Sequence, residues 1–280
     1  MDIIQSAKRV RALEKTRDVV FVDCRFQLND PLRGYRLYQA EHIPGAVYMD
    51  LDKEMSGKAG SNTGRHPMPD LTQLKQTLEE KGIKKDSTII AYDEPKSPFA
   101  ARFYWLMKAA GHQDVCILNG GLSAWKQEDF PVTSEVVNRP VSTYHVTLQE
   151  ELIADQSYVQ EAMENKDITL LDARSFERFA GFEEPIDKKA GHIPTAESFE
   201  WLKVFNEDGY WKKDVELKEL FEPYLNAKEI IVYCGSGVTA APPAVALREA
   251  GFRNVSLYVG SFSDWISNEA NKINTLKKQP

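Results

Sequence analysis

Residues 229–250 read EIIVYCGSGVTAAPPAVALREA: a short apolar run, a cysteine, two glycines around a serine, then small and apolar residues at helical spacing. Glu229 to Tyr233 has the make-up of a buried strand, and Thr239 to Ala250 that of a helix. Pro242 and Pro243 fall in the first turn of that helix, where a missing amide donor costs little. Cys234 therefore stands at a strand-to-helix turn. That is the carboxyl edge of a parallel sheet, where open α/β folds place their ligands.

A strand of the same kind occurs earlier. Ser87 to Tyr92 corresponds to Glu229 to Tyr233, and the position answering Cys234 is Asp93. The correspondence runs through most of the chain. Val20-Phe21-Val22-Asp23-Cys24-Arg25 answers Leu170-Leu171-Asp172-Ala173-Arg174, with Asp23 and Asp172 149 positions apart. His42-Ile43-Pro44 answers His192-Ile193-Pro194 at a separation of 150. Ala110-Gly111-His112-Gln113-Asp114-Val115 answers Ala250-Gly251-Phe252-Arg253-Asn254-Val255 at 140, as Trp125 answers Trp265. Anchors kept in one order mark an internal duplication. The copies run from residues 1–135 and 150–280, with Val132 to Leu148 as a polar, aperiodic connector. In each, short β-branched runs alternate with longer amphipathic stretches, which predicts an α/β fold of two tandem domains, each a mainly parallel sheet flanked by helices.

The composition of the 280 residues agrees with folded domains: 42% hydrophobic, 10% aromatic and 28% charged. The formal charge is -7 and no lysine or arginine block interrupts it, which argues against a nucleic-acid or anionic-membrane surface. Apolar runs fall short of the ~20 residues that span a bilayer, and Met1 to Val10 lacks the features of a secretory signal, so a cytoplasmic location is expected. The three cysteines, Cys24, Cys116 and Cys234, cannot all pair and form no C-x-x-C, so any cysteine chemistry is that of a single thiol.

Cys24 and Cys116 sit in strand-like runs and read as inert core residues. The surroundings of Cys234 differ. In Cys234-Gly235-Ser236-Gly237-Val238-Thr239 the glycines free the backbone to curl around the sulfur, and a helix follows at once. Amide N–H groups and the helix dipole aimed at the sulfur favour thiolate over thiol and would stabilise a persulfide anion in the same way. The alternative is a buried, inert cysteine in a tight turn, and the functional reading requires a reachable sulfur faced by peptide hydrogens.

Taken together, the paired aspartates, the two His-Ile-Pro motifs, Leu118-Asn119-Gly120-Gly121 with Trp125, Gly260-Ser261 with Trp265 and the six-residue cysteine loop make the chain resemble the tandem-domain rhodaneses. The likeness covers nearly the whole chain. It implies two rhodanese-like domains, of which the C-terminal one is catalytic and the N-terminal one, with Asp93 at the cysteine position, is silent. A Cys-Gly-Ser-Gly-Val-Thr loop is similar to that of the branch acting on 3-mercaptopyruvate, whereas thiosulfate-preferring members carry basic residues after the cysteine. Gly235 and Ser236 bring no charge.

The resemblance also implies site roles. The family's serine, histidine and aspartate map onto Ser236, His66 and Asp52, the last two carried by the N-terminal copy, which would place the active site between the domains. A histidine oriented by a carboxylate can pass a proton through a hydroxyl. Arg178 matches the arginine that holds the substrate carboxylate, and Gly235, Gly237, Val238 and Thr239 line the loop. A second binding arginine, expected downstream, is missing; residues 183–189 offer Lys188 or Lys189 instead. Thr195 replaces the glycine usual after the second His-Ile-Pro, where Gly45 keeps it in the first. His42 and His192 read as structural.

The expected reaction moves sulfur from 3-mercaptopyruvate through a Cys234 persulfide to a thiol acceptor such as a thioredoxin or a small thiol, or to cyanide, with no metal or organic cofactor and no nucleic-acid or membrane partner. Thiosulfate:cyanide sulfur transfer is the alternative, and a non-catalytic rhodanese-like binding module a further one. Cysteine phosphatases of related fold need Cys-x5-Arg, but Ala240 stands six positions after Cys234.

Overall fold

The computed structural model describes residues 2–60 and 63–277. It divides into two units. Unit 1 comprises Met1–Gly57, Pro69–Gln149 and Phe205–Trp211; unit 2 comprises Lys58–Met68, Glu150–Val204 and Lys212–Pro280.

In unit 1 the elements are β1 (Ile4–Gln5), α1 (Ala7–Leu13), β2 (Val19–Asp23), α2 (Arg33–Ala40), β3 (Val47–Tyr48), α3 (Leu71–Glu80), β4 (Thr88–Tyr92), α4 (Phe99–Ala109), β5 (Val115–Leu118) and α5 (Gly121–Gln127). The strands form a parallel sheet in the order β1-β5-β4-β2-β3. Unit 2 repeats the plan with β6 (Ile153–Ala154), α6 (Gln156–Ala162), β7 (Ile168–Asp172), α7 (Phe176–Ala180), β8 (Glu197–Ser198), α8 (Asp214–Leu220), β9 (Glu229–Tyr233), α9 (Ala241–Glu249), β10 (Val255–Tyr258) and α10 (Ser261–Trp265). Its parallel order is β6-β10-β9-β7-β8. Helices on the faces bury both sides of the central strands, so β4 and β9 are near-continuous apolar runs without alternation.

The duplicated motifs take equivalent places. Asp23 and Asp172 end β2 and β7, and each is gripped in the buried interior by the arginine two residues on, Arg25 and Arg174. The same arginines donate to backbone carbonyls, of Glu41 and Gly191. His42 and His192 place Nδ1 against the carbonyls of Tyr38 and Phe179, and the next N–H groups, of Ile43 and Ile193, donate to the hydroxyls of Tyr92 and Tyr233. Trp125 and Trp265 are fully buried, and each indole N–H donates to a carbonyl beyond its helix, of Pro131 and Lys272.

Residues 132–148 are packed on unit 1. Thr133 bridges to His42, the Ser142 N–H donates to the Glu79 carbonyl, and Tyr144 is 1% exposed with its hydroxyl 2.8 Å from His112 Nδ1. One buried tyrosine in an aperiodic stretch converts a connector into a strap.

Thr195 occupies the left-handed region at φ 68°, as Gly45 does at 75°. Threonine is β-branched and its side chain here is exposed, so nothing offsets the strain. Thr195→Gly is expected to raise stability by about 1 kcal/mol, the relieved strain exceeding the added freedom of the unfolded chain. Denaturant titration of the two proteins checks it.

Candidate active site

The loop after β9 is held from behind by the start of α10. The Phe262 N–H donates to the Cys234 carbonyl at 2.9 Å and the Ser263 N–H to the Gly235 carbonyl at 3.0 Å. The Cys234 N–H donates to Ser261 Oγ at 3.1 Å, while the Ser261 hydroxyl donates to the Tyr258 carbonyl at 2.8 Å. Ser261 adopts φ 55°, close to the 57° of its counterpart Gly121, so a strained serine stands where unit 1 has a glycine. Gly237 has φ 76°, and a Cβ there would run into the Val259 carbonyl. This conformation aims the Gly237 N–H at Cys234 Sγ, 3.1 Å away.

A peptide hydrogen therefore faces the sulfur, but the residue is less open than the sequence reading requires: Cys234 is 1% exposed. Val238 and Ala240 are as deeply buried.

Ser236 Oγ lies 2.9 Å from His66 Nδ1. Residues 58–68 belong to unit 2, not to the N-terminal unit assumed from the sequence. Gly64 packs against Gly260, and the Arg65 N–H donates to Ser263 Oγ at 3.2 Å, so this excursion is pinned beside the cysteine loop. Asp52 belongs to unit 1, in the turns after β3, where its N–H donates to Asp50 Oδ1 at 3.0 Å. Partial burial and the neighbouring Asp50 push its carboxyl above the usual range. The structure thus brings His66 and Ser236 together in one unit.

Two guanidiniums cover Gly235. A Cβ built there would lie 2.8 Å from Arg65 Nη2 and 3.3 Å from Arg178 Nη2, so both forks reach the backbone of the cysteine loop. Arg178, on α7, donates from Nε to both Glu184 oxygens at 3.1 Å and from Nη2 to Asp187 Oδ2 at 2.8 Å. Asp187 Oδ1 accepts from Arg65 Nη1. Glu184 also accepts from Arg174, which is paired with Asp172. Burial pushes the Glu184 carboxyl up, but Arg178 and the amides of Asp187 and Ile186 outweigh it and hold it below its ordinary range. Of the two lysines in residues 183–189, Lys188 is exposed and Lys189 half-buried, while the Arg65 fork lies beside the loop.

Gly235 and Gly237 are buried and Thr239 is half-buried in the same loop. Cys24 is fully buried, and burial together with Asp93 and Asp23 pushes its thiol well above the usual range. Cys116 is equally buried in β5. A cavity of about 530 Å³ in unit 1, lined by Tyr35, Tyr38 and Tyr48 among others, contains none of the loop residues.

A family model for the rhodanese-like domain matches residues 6–128 and again 155–268. The chain belongs to the rhodanese family. Relatives of this rhodanese include a probable 3-mercaptopyruvate sulfurtransferase from Pseudomonas aeruginosa, 37% identical over 275 residues and spanning 96% of this chain and 97% of the relative. A putative thiosulfate sulfurtransferase, SseB of Mycobacterium tuberculosis, is 34% identical over 95% of this chain and 94% of its own. Among solved structures, SseA from Escherichia coli, described with the 3-mercaptopyruvate sulfotransferases, superposes with a TM-score of 0.80 at 28% identity, covering 94% of this chain and all of SseA. The two-domain α/β fold and the tandem rhodanese domains agree with the sequence reading. Among the described residues no helix is long and apolar enough to cross a membrane.

Three residues of this rhodanese escaped the sequence reading. Arg65 directly precedes His66, and that adjacency was its available signal. Asp187 and Glu184 fall in the segment scanned for cations, so their role as carboxylate partners of the arginines is visible only in the fold.

Proposed function

We infer that this rhodanese-family sulfurtransferase takes sulfur from 3-mercaptopyruvate onto Cys234 and passes it to a thiol or to cyanide. The observation that carries the reading is the Gly237 N–H aimed at Cys234 Sγ from 3.1 Å, within a loop that has no charged side chain of its own. The Cys234 thiolate attacks the donor sulfur. A sulfur–sulfur bond forms, the carbon–sulfur bond breaks, and its electron pair leaves on carbon as the enolate of pyruvate, which then takes up a proton. The Gly237 N–H supports the negative charge on Sγ before transfer. Arg178 and Arg65 offer planar forks to the donor carboxylate.

His66 and Ser236, 2.9 Å apart, supply the proton path to the enolate; Asp52 is assigned the orienting carboxylate by the family resemblance alone. Ser236→Ala is expected to lower kcat with 3-mercaptopyruvate roughly 100-fold. Discharge of a preformed persulfide by cyanide, which needs no enolate protonation, should change far less. Stopped-flow separation of the two half-reactions checks this.

The donor is tested by steady-state turnover with cyanide as acceptor. The proposal expects kcat/KM for 3-mercaptopyruvate to exceed that for thiosulfate by roughly ten-fold or more, because a neutral loop gives a dianion no advantage. The reverse order overturns the donor assignment while leaving sulfur transfer intact.

A further inference from the structure

Around the cysteine loop of unit 2, three guanidiniums meet three carboxylates. Arg174 is taken up by Asp172, and Arg65 and Arg178 remain facing Gly235. Against those two stand Glu184 and Asp187, whose side chains are 4% and 2% exposed. Glu184 engages Arg178 at Nε and lies 2.9 Å from its Nη2, and it is shared with Arg174 rather than with Arg65. Asp187 is different. It bridges both guanidiniums, one carboxylate oxygen on each.

We propose that Asp187 sets the charge of the sulfur donor that the site accepts, by offsetting the paired Arg65 and Arg178 forks so that they hold a monoanionic carboxylate but do not favour a dianion. A bridging carboxylate competes with an incoming anion for the same N–H donors and leaves the site near neutrality before a donor arrives. A keto acid carrying one charge tolerates this. Thiosulfate, carrying two, gains from a second uncompensated cation and is denied it. The inference rests on the reading of Arg178 and Arg65 as the donor anchor. It adds a reason for donor choice that the loop sequence alone does not contain.

The experiment compares kcat/KM for thiosulfate and for 3-mercaptopyruvate, with cyanide as acceptor, in the full chain and in Asp187→Asn. The amide keeps the shape and one acceptor oxygen while removing the charge. The ratio of thiosulfate to 3-mercaptopyruvate is expected to rise roughly ten-fold or more, with the rise shrinking as salt is added. Asp187→Glu should restore the wild-type ratio. An unchanged ratio, or an equal loss with both donors, means that Asp187 only shapes the site, and overturns the proposal. If Asp187→Asn does not fold, Arg65→Gln carries the test: with one cation removed and Asp187 still on Arg178, the ratio must fall, and an unchanged or higher ratio overturns the proposal. A wild-type enzyme that prefers thiosulfate refutes the donor assignment, whereas the change of ratio on substitution still decides the role of Asp187.

Discussion

Cys234→Ser is expected to remove sulfur transfer altogether, lowering turnover by on the order of 10⁴-fold or more, while the protein stays folded. The hydroxyl is nearly isosteric and the loop is held by backbone bonds that do not involve the sulfur: Phe262 and Ser263 to the carbonyls of residues 234 and 235, and the Cys234 N–H to Ser261. What is lost is a polarizable nucleophile able to form a sulfur–sulfur bond. In the wild type, incubation with 3-mercaptopyruvate and no acceptor should add one sulfur atom to the intact mass, and a reductant should remove it. Cys24→Ala should leave that gain unchanged, since burial and two aspartates keep the Cys24 thiol protonated. A sulfur gain that survives Cys234→Ser would overturn the assignment.

That the turn at Cys234 could be read in the sequence while Arg65 and Asp187 beside it could not has a physical cause. Strand, loop and helix are local: residues 229–250 carry their own periodicity, their own glycines and their own proline-marked helix start, so the turn at Cys234 was legible from one segment. The duplication added a second reading of the same pattern, which fixed the α/β class. His66 and Ser236 are 170 positions apart and were paired by family resemblance, not by any local rule; the fold then places them 2.9 Å apart. Arg65 and Asp187 are separated by 122 positions and no periodicity joins them. The segment 58–68 follows β3 in sequence but packs beside the start of α10 through Gly64 and the Ser263 hydroxyl, a tertiary choice that sequence spacing does not encode. The burial of Cys234 has the same origin, because Ser261 and Phe262, 27 and 28 positions on, bond to its backbone only in the fold.

The second large effect is expected in unit 1, at Asp93. Its loop keeps the frame of the cysteine loop: the Leu122 N–H donates to the Asp93 carbonyl, as the Phe262 N–H does to Cys234. A carboxyl stands where the other unit has its thiol, 5% exposed, with Oδ2 accepting from the Ala100 N–H at 2.9 Å. Burial pushes this carboxyl up to about 7, and Asp23 adds to the rise, although the amides of Ala100 and Phe99 and the Ser97 hydroxyl pull the other way. An aspartate in the unfolded chain ionises near 4. Folding therefore takes up a proton between roughly pH 4 and 7, and the stability that the neutral carboxyl allows below that window is lost as the pH rises through it. The span corresponds to about 4 kcal/mol. Asp93→Asn cannot titrate, so the stability difference between variant and wild type should move in the variant's favour from pH 4 to pH 8, by up to about 4 kcal/mol. Denaturant titrations of both proteins across that range provide the measurement; a difference independent of pH would mean that Asp93 is ionised throughout and held by its amides. Sulfur transfer should be unaffected at either end of the range, since unit 1 contributes this carboxyl to its own fold and not to the cysteine loop.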